Sequence, residues 1–266
     1  MAPDTLSLSG KVAIVTGSGR ENGIGAAIAA VLARNGASVV INYVSDSSAP
    51  RAANVAASLK NFGGRTLVVQ ADVSTPEGAA KLAKETLKGF STDKIDILVN
   101  NAGGGTGQGT QFLDLTPDQV QHAFAVNTFS TIYATQAVVP HMPKGGRIVN
   151  IGSIVSRMST LPAVSIYGAS KAAQEYLTGA LANELGASRG ITINTISPGP
   201  TSTDAASWFQ GDELKKELLL KMSLAVKADR MNGTPEEVAD AVLLVVGEQA
   251  RWITGQYIAA SGGMTD

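Results

Sequence analysis

Tyr167 and Lys171, four positions apart, carry side chains that together could move a proton. On a helix, residues at this spacing lie on one face. A phenol with a pKa of about 10 is a poor acid or base at neutral pH, but a neighbouring cation favours the phenolate and lowers that pKa by roughly 1 to 3 units. The pair therefore suits acid–base chemistry at a substrate oxygen. The same spacing also occurs by chance on surface helices, where it has no chemical role.

Ser153 is a second candidate, because it follows the apolar run RIVNI, which predicts a buried strand. Ligands of open α/β sheets bind outside the carboxyl ends of the strands, so Ser153 is placed to donate a hydrogen bond to a substrate oxygen. The alternative is a hydroxyl that caps a helix or stabilises a loop, a role that Ser156 and Ser159 could equally fill.

A glycine-rich segment, TGSGRENGIG at residues 16–25, follows the first predicted strand. Gly17, Gly19 and Gly23 would let the backbone approach a pyrophosphate, and a helix starting at Ile24 would offer it free N–H groups. A tight turn without a ligand needs fewer glycines. The segment therefore predicts a dinucleotide site.

The end of the second predicted strand bears on which dinucleotide is bound. This strand ends in Asn42 and Tyr43, without the acid that would accept hydrogen bonds from the ribose of NAD. Arg20 and nearby serine hydroxyls could instead bind a 2′-phosphate, which favours NADP(H). Two observations oppose this interpretation: Asp46 could swing toward the ribose, and Arg20 could be a solvated surface charge.

Short apolar runs alternate with longer helical stretches along most of the chain. Runs such as VAIVT, IDILV and RIVNI are typical of strands covered on both faces, and threonine followed by proline and an acid starts three of the helices. The alternation predicts a Rossmann-type, doubly wound α/β sheet of about seven parallel strands with helices on both faces. We expect strands at residues 11–16, 38–43, 66–70, 95–99, 147–151, 191–196 and 256–259, and helices at 24–35, 49–62, 76–90, 117–140, 167–188 and 235–248.

The composition excludes several classes of protein. Hydrophobic residues make up 44% and charged residues 16%, which indicates a buried globular core rather than disorder. A net charge of -1 gives no reason to expect nucleic acid or an anionic membrane as partner. The sequence has no cysteine and two histidines, which excludes disulfides, thiolate metal sites and a histidine-rich metal centre.

The overall organisation predicts a cytoplasmic protein of one domain, residues 1–266. No apolar run approaches the roughly 20 residues of a membrane-spanning helix. The N-terminal residues MAPDTLSLSGKV lack the layout of a secretory signal. No linker or shift in composition divides the chain.

The ordered motifs resemble those of the short-chain dehydrogenase/reductase family, and the resemblance covers essentially the whole chain. In family order they are the glycine loop, Asp72-Val73, Asn100-Asn101-Ala102-Gly103, Asn127, Ser153, Tyr167 with Lys171, Pro198-Gly199 and Ile253-Thr254-Gly255-Gln256. The resemblance implies an NADP(H)-dependent ketoreductase or alcohol dehydrogenase acting on a small molecule, assembled as a homotetramer or homodimer.

The same resemblance implies roles for individual residues. Tyr167 would be the general acid/base, while Lys171 would lower its pKa and bind the nicotinamide ribose. Ser153 would orient the carbonyl, and Asn127 would hold a water that relays protons. The implied cofactor contacts are Asp72 and Val73 at the adenine, Asn100, Ala102 and Gly103 along the cofactor, and Pro198, Gly199 and Thr201 at the nicotinamide.

Two departures from the family pattern stand out. The family usually has three residues between the first two glycines of its fingerprint, whereas five separate Gly17 from Gly23. Glu21 and Asn22 read as an insertion, which leaves the direction of the Arg20 side chain open. In addition, Gly152 replaces the first serine of the usual pair before the catalytic position, and Ser153 is retained.

The substrate side is expected between residues 199 and 233, as an apolar lid over the nicotinamide. Its candidate residues are Trp208, Phe209, Leu218, Leu219 and Met222, with Met158 and Leu161 as the opposite wall and residues 103–111 at the rim. These apolar residues could equally belong to the core or to a subunit interface. No arginine or lysine is obviously placed to bind a substrate carboxylate, which favours a largely apolar ketone or secondary alcohol.

Two other functions remain open from the sequence. The same fold could reduce a C=C or C=N bond, although the related fatty-acid-type C=C reductases usually have a wider tyrosine–lysine spacing than four. A cofactor-binding sensor without turnover is the third candidate. The presence of Asn127, Ser153, Tyr167 and Lys171 together argues against it.

Overall fold

The computed structural model describes residues 6–62, 64–105, 109–158, 164–204, 225–230 and 232–264. Its seven-stranded sheet has the order β3-β2-β1-β4-β5-β6-β7, and every neighbouring pair is parallel. The predicted Rossmann-type fold class is confirmed. The strands are β1 (Val12–Val15), β2 (Ser38–Tyr43), β3 (Thr66–Gln70), β4 (Ile97–Asn100), β5 (Arg147–Ile151), β6 (Thr192–Pro198) and β7 (Tyr257–Ala260).

Helices cover both faces of the sheet, as its apolar strands require. They are α1 (Ile24–Arg34), α2 (Ala49–Ser58), α3 (Pro76–Phe90), α4 (Pro117–Phe124), α5 (Ser130–Val138), α6 (Ser165–Arg189) and α7 (Pro235–Val246). One apolar cluster joins α1, α2 and α7 to the sheet, and a second joins α3, α5 and α6 to the opposite face. Within the described ranges, none of the helices is both long and apolar enough to cross a membrane.

The β1 strand shows how the two faces are built. Ala13 and Val15 belong to the first cluster, whereas Val12 and Ile14 belong to the second. This alternation follows from the two-residue period of a strand. Since β1 pairs with β2 on one side and β4 on the other, the connections leaving β1 and β4 diverge at its carboxyl end. A crevice at such a point is where ligands of open α/β sheets bind.

The single helix predicted at residues 117–140 is wrong. The structure divides this stretch into α4, a π-helical turn at Ala125–Phe129, and α5. Asn127 and Thr128 are buried in that turn and bind groups on α6, with Thr128 Oγ1 donating to the Ser170 carbonyl at 2.8 Å. One extra residue per turn rotates these side chains, and such turns often occur at functional sites.

The other boundaries differ from the prediction by a few residues. β2, β3, β5 and α3 have the predicted bounds. The helix predicted at 49–62 is α2, which ends at Ser58. The helix predicted at 167–188 is α6, which begins at Ser165. Helix ends depend on capping contacts that an apolar pattern does not contain.

Threonine side chains fix the starts of α3, α4 and α7. Thr75, Thr116 and Thr234 each accept a hydrogen bond from a backbone N–H of the first helical turn. At Thr234 the Glu237 side chain also binds back to the capping residue, which completes a capping box. α7 packs along α1 through apolar side chains of the first cluster, so this cap supports the helix that follows the glycine loop.

We expect Thr234→Ala to lower the free energy of unfolding by about 1 kcal/mol, because the alanine leaves a helical N–H without its acceptor. Urea unfolding followed by circular dichroism measures this change. Thr234→Ser keeps the hydroxyl and serves as the matched control. Equal stability of the alanine and serine variants would contradict the role given to the cap.

Candidate active site

Tyr167 and Lys171 lie one turn apart on α6, on a helix face that is unusually polar for its burial. The buried residues of this helix are Ser170, Lys171, Gln174, Thr178 and Ala182. Spacings of three and four place Tyr167, Lys171, Gln174 and Thr178 on one stripe. The predicted pair therefore shares a face, and that face continues as a polar strip below it.

Ser153 lies at the carboxyl end of β5, where its side chain has two contacts. Its Oγ accepts a hydrogen bond from the Val155 N–H at 3.3 Å, which caps the short 3-10 turn Ile154–Ser156. Its hydroxyl is also close enough to the Tyr167 phenol to act on the pKa of that group. The capping alternative is therefore found, in a side chain that also lies beside Tyr167.

Burial raises the pKa of Tyr167 above its usual value of 10, and the hydrogen bond from Ser153 acts in the opposite direction. The lowering expected from Lys171 is not found in this structure. Burial also lowers the pKa of Lys171 to about 7. The causes found for the raised Tyr167 pKa and for the lowered Lys171 pKa do not include an interaction between these two groups.

The Lys171 ammonium is 4% exposed and is bound within the protein. Its Nζ donates to the Ile151 carbonyl at 2.7 Å and to Gln174 Oε1 at 3.1 Å. A Cβ atom added at Gly103 would lie 3.2 Å from this Nζ and 2.7 Å from Asn127 Oδ1. Glycine at 103 thus leaves the space beside the ammonium clear.

The Asn127 side chain hydrogen-bonds the loop that follows β4. Its Oδ1 accepts from the Gly104 N–H at 3.0 Å, and its Nδ2 donates to the Gly104 carbonyl at 3.0 Å and to Ser170 Oγ at 3.1 Å. Both polar atoms of the side chain are therefore bound to protein groups. The side chain positions the loop, and both of its N–H groups are used, which leaves the second lone pair of Oδ1 and the backbone as places for a water.

The glycine loop is held by two asparagine amides. Gly17 has a φ of 62°, and its N–H donates to Asn42 Oδ1 at 3.0 Å. Asn101 Nδ2 donates to the Thr16 carbonyl at 2.8 Å and to the Gly17 carbonyl at 3.1 Å. At Gly25 a Cβ atom would lie 2.5 Å from Asn101 Nδ2, so only glycine allows this close packing.

The start of α1 fits the pyrophosphate of a dinucleotide. Its capping residue is Gly23, which has no side chain to bind the first helical N–H groups, whereas threonines cap α3, α4 and α7. An anion can take that place, favoured also by the helix dipole. Gly17, Gly23 and Ile24 lie in this turn, as predicted from the glycine pattern.

Asn42, one of the predicted cofactor residues, has its side chain bound within the protein. It is fully buried, and its Nδ2 donates to the Ala71 carbonyl at 3.0 Å while its Oδ1 binds Gly17. Its contribution is to fix the loop. Tyr43 remains partly exposed at the strand end, and a Cβ at Gly19 would lie 2.9 Å from Tyr43 Cβ. Gly19 thus lets the loop pack against β2.

The two inserted residues of the glycine loop have partners that the sequence analysis missed. Glu21 accepts hydrogen bonds from Arg51 Nε at 2.7 Å and from Asn54 Nδ2 at 2.9 Å, both on α2. Asn22 Nδ2 donates to Asp204 at 3.2 Å, and Arg51 pairs with the same aspartate. Hydrogen bonds from Arg51 and Asn54 lower the pKa of Glu21 to about 2. The insertion therefore ties the loop to α2 and to the segment after β6.

Arg20 precedes this insertion and its side chain is exposed. Its carbonyl accepts from the Gly23 N–H at 3.0 Å, which closes the turn. Asp46, the residue that argued against NADP(H), accepts a hydrogen bond from Gln70 Nε2 at 2.7 Å. That contact holds the Asp46 carboxylate against β3.

The remaining predicted cofactor residues lie at the carboxyl ends of β3, β4 and β6. Asp72 is exposed but its Oδ1 accepts from the N–H and hydroxyl of Ser74, at 3.0 and 2.6 Å, and Val73 is buried. Asn100 is buried in the sheet, where its Nδ2 donates to Asn150 Oδ1 at 2.9 Å. Ala102 donates its N–H to Thr16 Oγ1 at 2.9 Å. Asp72, Val73 and Ala102 thus lie at the edge of the sheet where the crevice is expected. Asn100 is buried within the sheet beneath that edge.

Pro198, the last residue of β6, pairs with Ala260 of β7, and the Gly199 N–H donates to the Ala260 carbonyl at 3.0 Å. Thr201 Oγ1 donates to the Gly199 carbonyl at 3.0 Å. Thr201 also forms a backbone bridge with Gly233. This stretch therefore runs along the edge of the crevice on its β6 side.

The substrate side is described only in part. Met158 packs with Ile154 and Met264, and Ala225 and Val226 lie against them. Leu161 and the predicted lid residues Trp208, Phe209, Leu218, Leu219 and Met222 lie outside the described residues. The C-terminal Met264 had not been expected here, because its place next to Met158 depends on how the chain returns after β7.

Comparison with known proteins agrees with this arrangement. A family model described as Enoyl-(Acyl carrier protein) reductase matches residues 17–265. The 7alpha-hydroxysteroid dehydrogenase of Escherichia coli (strain K12) is 35% identical over 262 residues, which are 98% of this chain and 96% of that protein.

Two solved structures are similar over nearly their full length. A short chain dehydrogenase from Burkholderia cenocepacia J2315 in complex with NADP is 37% identical, with a TM-score of 0.86, covering 97% of this chain and 98% of that one. An angucycline C-6 ketoreductase with bound NADP is 36% identical, with a TM-score of 0.85, covering 97% of this chain and 96% of that one. With the family model matching almost all of the sequence as well, this chain belongs to the short-chain dehydrogenase/reductase family of oxidoreductases.

Proposed function

We propose that this chain is an NADP(H)-dependent ketoreductase or alcohol dehydrogenase that transfers hydride between the nicotinamide and a carbonyl or secondary alcohol. The observation that carries the proposal is the placement of the Ser153 hydroxyl beside Tyr167, which lies one helical turn from the buried Lys171. These groups lie at the carboxyl edge of the sheet, and the glycine loop lies at the same edge. Relatives whose names describe carbonyl or alcohol chemistry support the same reaction class.

The nicotinamide supplies or accepts the hydride, and the residues of this chain handle the oxygen. In reduction, the hydroxyls of Ser153 and Tyr167 donate to the carbonyl oxygen. Tyr167 gives its proton to that oxygen as negative charge develops there. The resulting phenolate accepts a hydrogen bond from Ser153 and is stabilised by the Lys171 ammonium. In alcohol oxidation the same groups act in reverse.

Lys171 and Asn127 support this proton transfer. Among the described residues, Lys171 Nζ has two acceptors, Ile151 and Gln174, so one of its three N–H groups is left for the nicotinamide ribose. The Asn127 side chain is bound to Gly104 and Ser170. A water in the proton relay at Asn127 would bind the second lone pair of its Oδ1 or its backbone.

We expect Tyr167→Phe to lower kcat for ketone reduction by roughly 10²- to 10⁴-fold, because the proton donor is lost. NADPH affinity, measured by its fluorescence, should change by less than about 2-fold. Tyr176→Phe is the matched control, since Tyr176 is on the same helix and 79% exposed. A Tyr167→Phe enzyme with nearly normal turnover would refute the proposed chemistry.

The preference for NADP(H) is supported at the end of β2. The Asp46 carboxylate is bound to Gln70, so it is drawn away from the ribose. The Ser45 hydroxyl forms hydrogen bonds with Ser47 and Ser48 at 2.9 and 2.8 Å, which gathers donors on this surface. The exposed Arg20 adds a cation that a 2′-phosphate requires. Two similar structures contain NADP.

We expect Arg20→Gln to weaken NADPH binding about 10-fold and to leave NADH binding within about 2-fold, because only NADPH carries the 2′-phosphate. Both dissociation constants can be measured by fluorescence titration. Lys84→Gln on α3 makes the same charge change at an exposed site away from β2 and should alter neither. Equal losses for the two nucleotides would contradict the role of Arg20.

For the substrate we propose a largely apolar ketone or secondary alcohol. Ile154 and Met158, which follow Ser153 in the sequence, form an apolar cluster with Met264. Reduction of a C=C or C=N bond is the alternative, and the description of the family model favours C=C reduction. Ser153 and Tyr167 place two hydroxyl donors side by side, which suits a carbonyl oxygen and therefore favours carbonyl reduction.

A panel of cyclic ketones, matched 2-enones and cyclic imines separates these possibilities. We expect NADPH oxidation with the ketones and allylic alcohols as the products of the enones, identified by mass spectrometry. Saturated ketones formed from the enones would show C=C reduction instead. Amines formed faster than alcohols would identify an imine reductase.

The quaternary structure remains a proposal, a homotetramer or homodimer. Its support is the set of large apolar side chains exposed on α6, α7 and nearby turns, namely Phe129, Tyr176, Leu244 and Trp252. Sedimentation of the purified protein would distinguish these states. The cytoplasmic location, the single domain at residues 1–266 and the lid at about 199–233 stay predictions.

A further inference from the structure

Gln174 is a buried amide next to Lys171 that the sequence motifs do not include. It lies three residues after Lys171 on α6, and its side chain is fully buried. A buried amide needs partners for its oxygen and for its two N–H groups. What Gln174 binds therefore shows what it contributes.

The contacts fix which end of the amide faces the ammonium. Gln174 Oε1 accepts from Lys171 Nζ at 3.1 Å, and its Nε2 donates to Thr131 Oγ1 on α5 at 2.7 Å. The backbone carbonyl of Gln174 also accepts a hydrogen bond from Thr178 Oγ1. That hydroxyl in turn accepts one from Asn150 Nδ2 on β5. The amide is thus held from α5, and its oxygen is directed at Lys171.

Burial makes this acceptor important. Moving an ammonium out of water disfavours its charged form, and burial lowers the pKa of Lys171 to about 7. A neutral amide oxygen stabilises an N⁺–H donor without adding a second charge. Within the described part of the chain, the Ile151 carbonyl and the Gln174 amide oxygen are the acceptors that oppose this loss of charge.

Other charged groups near α6 are directed elsewhere. Tyr167 is the titratable neighbour on the same face. Glu175 of α6 pairs with Arg157, which follows the 3-10 turn, and Asp118 and His122 of α4 are exposed. Burial is the cause found for the lowered Lys171 pKa. β5, β6, the π-helical turn and the loop after β4 present uncharged groups to it within the described residues.

We propose that Gln174 is a positioning residue, whose amide oxygen holds the Lys171 ammonium against the Ile151 carbonyl and keeps it protonated for its part in proton transfer. This inference rests on the proposed function for its catalytic meaning. The contact between Gln174 and Lys171 can nevertheless be tested without turnover.

The experiment is a pH titration of Lys171 by NMR on the cofactor-free protein labelled with ¹³C at lysine Cε, with the signal assigned by its loss in Lys171→Met. Gln174→Met removes the acceptor at similar volume and should lower the titration midpoint by about one pH unit. Gln174→Glu places a carboxylate beside the ammonium and should raise the midpoint by about one unit or more.

The same signs apply to activity. If the reaction needs protonated Lys171, kcat/KM falls as pH rises through its pKa. The alkaline limb should therefore move to lower pH in Gln174→Met and to higher pH in Gln174→Glu. If Gln174 only fills space, Gln174→Met lowers stability and leaves the Lys171 midpoint in place.

Thr178→Val is the matched control, because it removes a buried hydroxyl one turn further along the stripe and leaves both acceptors of Lys171. Its Lys171 midpoint should equal that of the unaltered protein. Midpoints that do not move in opposite directions for the methionine and glutamate variants overturn the proposal. If Gln174→Met does not fold, the glutamate variant decides alone.

The two proposals can fail separately. Opposite shifts of the Lys171 midpoint without any dinucleotide turnover would support the Gln174 contact and refute the proposed function. Normal ketone reduction with unmoved midpoints would refute the role of Gln174 and leave the proposed function intact.

Discussion

The Lys171 ammonium is almost completely buried, and a buried charge needs hydrogen-bond acceptors from the surrounding protein. An unpaired buried ammonium would deprotonate or destabilise the fold. The structure avoids both outcomes with uncharged acceptors, the Ile151 carbonyl and the Gln174 amide. As a result, the inward face of α6 is polar where most buried helix faces are apolar. Thr178, Asn150 and Thr195 extend this polar strip into the sheet.

Asparagine amides give the loops around the site their shape. Asn42 and Asn101 bind the glycine loop from either side, and Asn127 binds the loop after β4. Each amide contacts backbone groups that no strand or helix satisfies, so each loop is held without regular secondary structure. The crevice is thus bounded by loops with fixed positions, which is what the orientation of a cofactor and a carbonyl requires.

The sequence contained most of the fold, because the relevant patterns are local. Apolar runs bounded β2, β3 and β5 at the observed residues, and threonine–proline pairs marked the starts of three helices. The π-helical turn could not be predicted in this way, since it depends on Asn127 and Thr128 reaching α6 and the loop after β4. The buried state of Asn42 was missed for the same reason.

The candidate site shows a similar division. Tyr167, Lys171 and Ser153 were found from helical spacing and from the end of a strand. Gln174 lies three residues after Lys171, so helical spacing also places it on this face, although it is not part of the family motif. The contacts of Glu21 with Arg51, and of Arg51 with Asp204, join segments far apart in sequence. No local pattern contains such contacts.

The central place of β1 has a consequence for how the chain is made. β1 is synthesised well before β4, yet one of its two edges is completed by β4, and the Val12 N–H binds the side chain of Asp96, 84 residues later. Until that length has been synthesised, β1 can pair only with β2, and its other edge stays open. Pairing across such a separation is slow. While the segment between β1 and β4 is being synthesised, β1 therefore has an unpaired strand edge, and such edges favour aggregation.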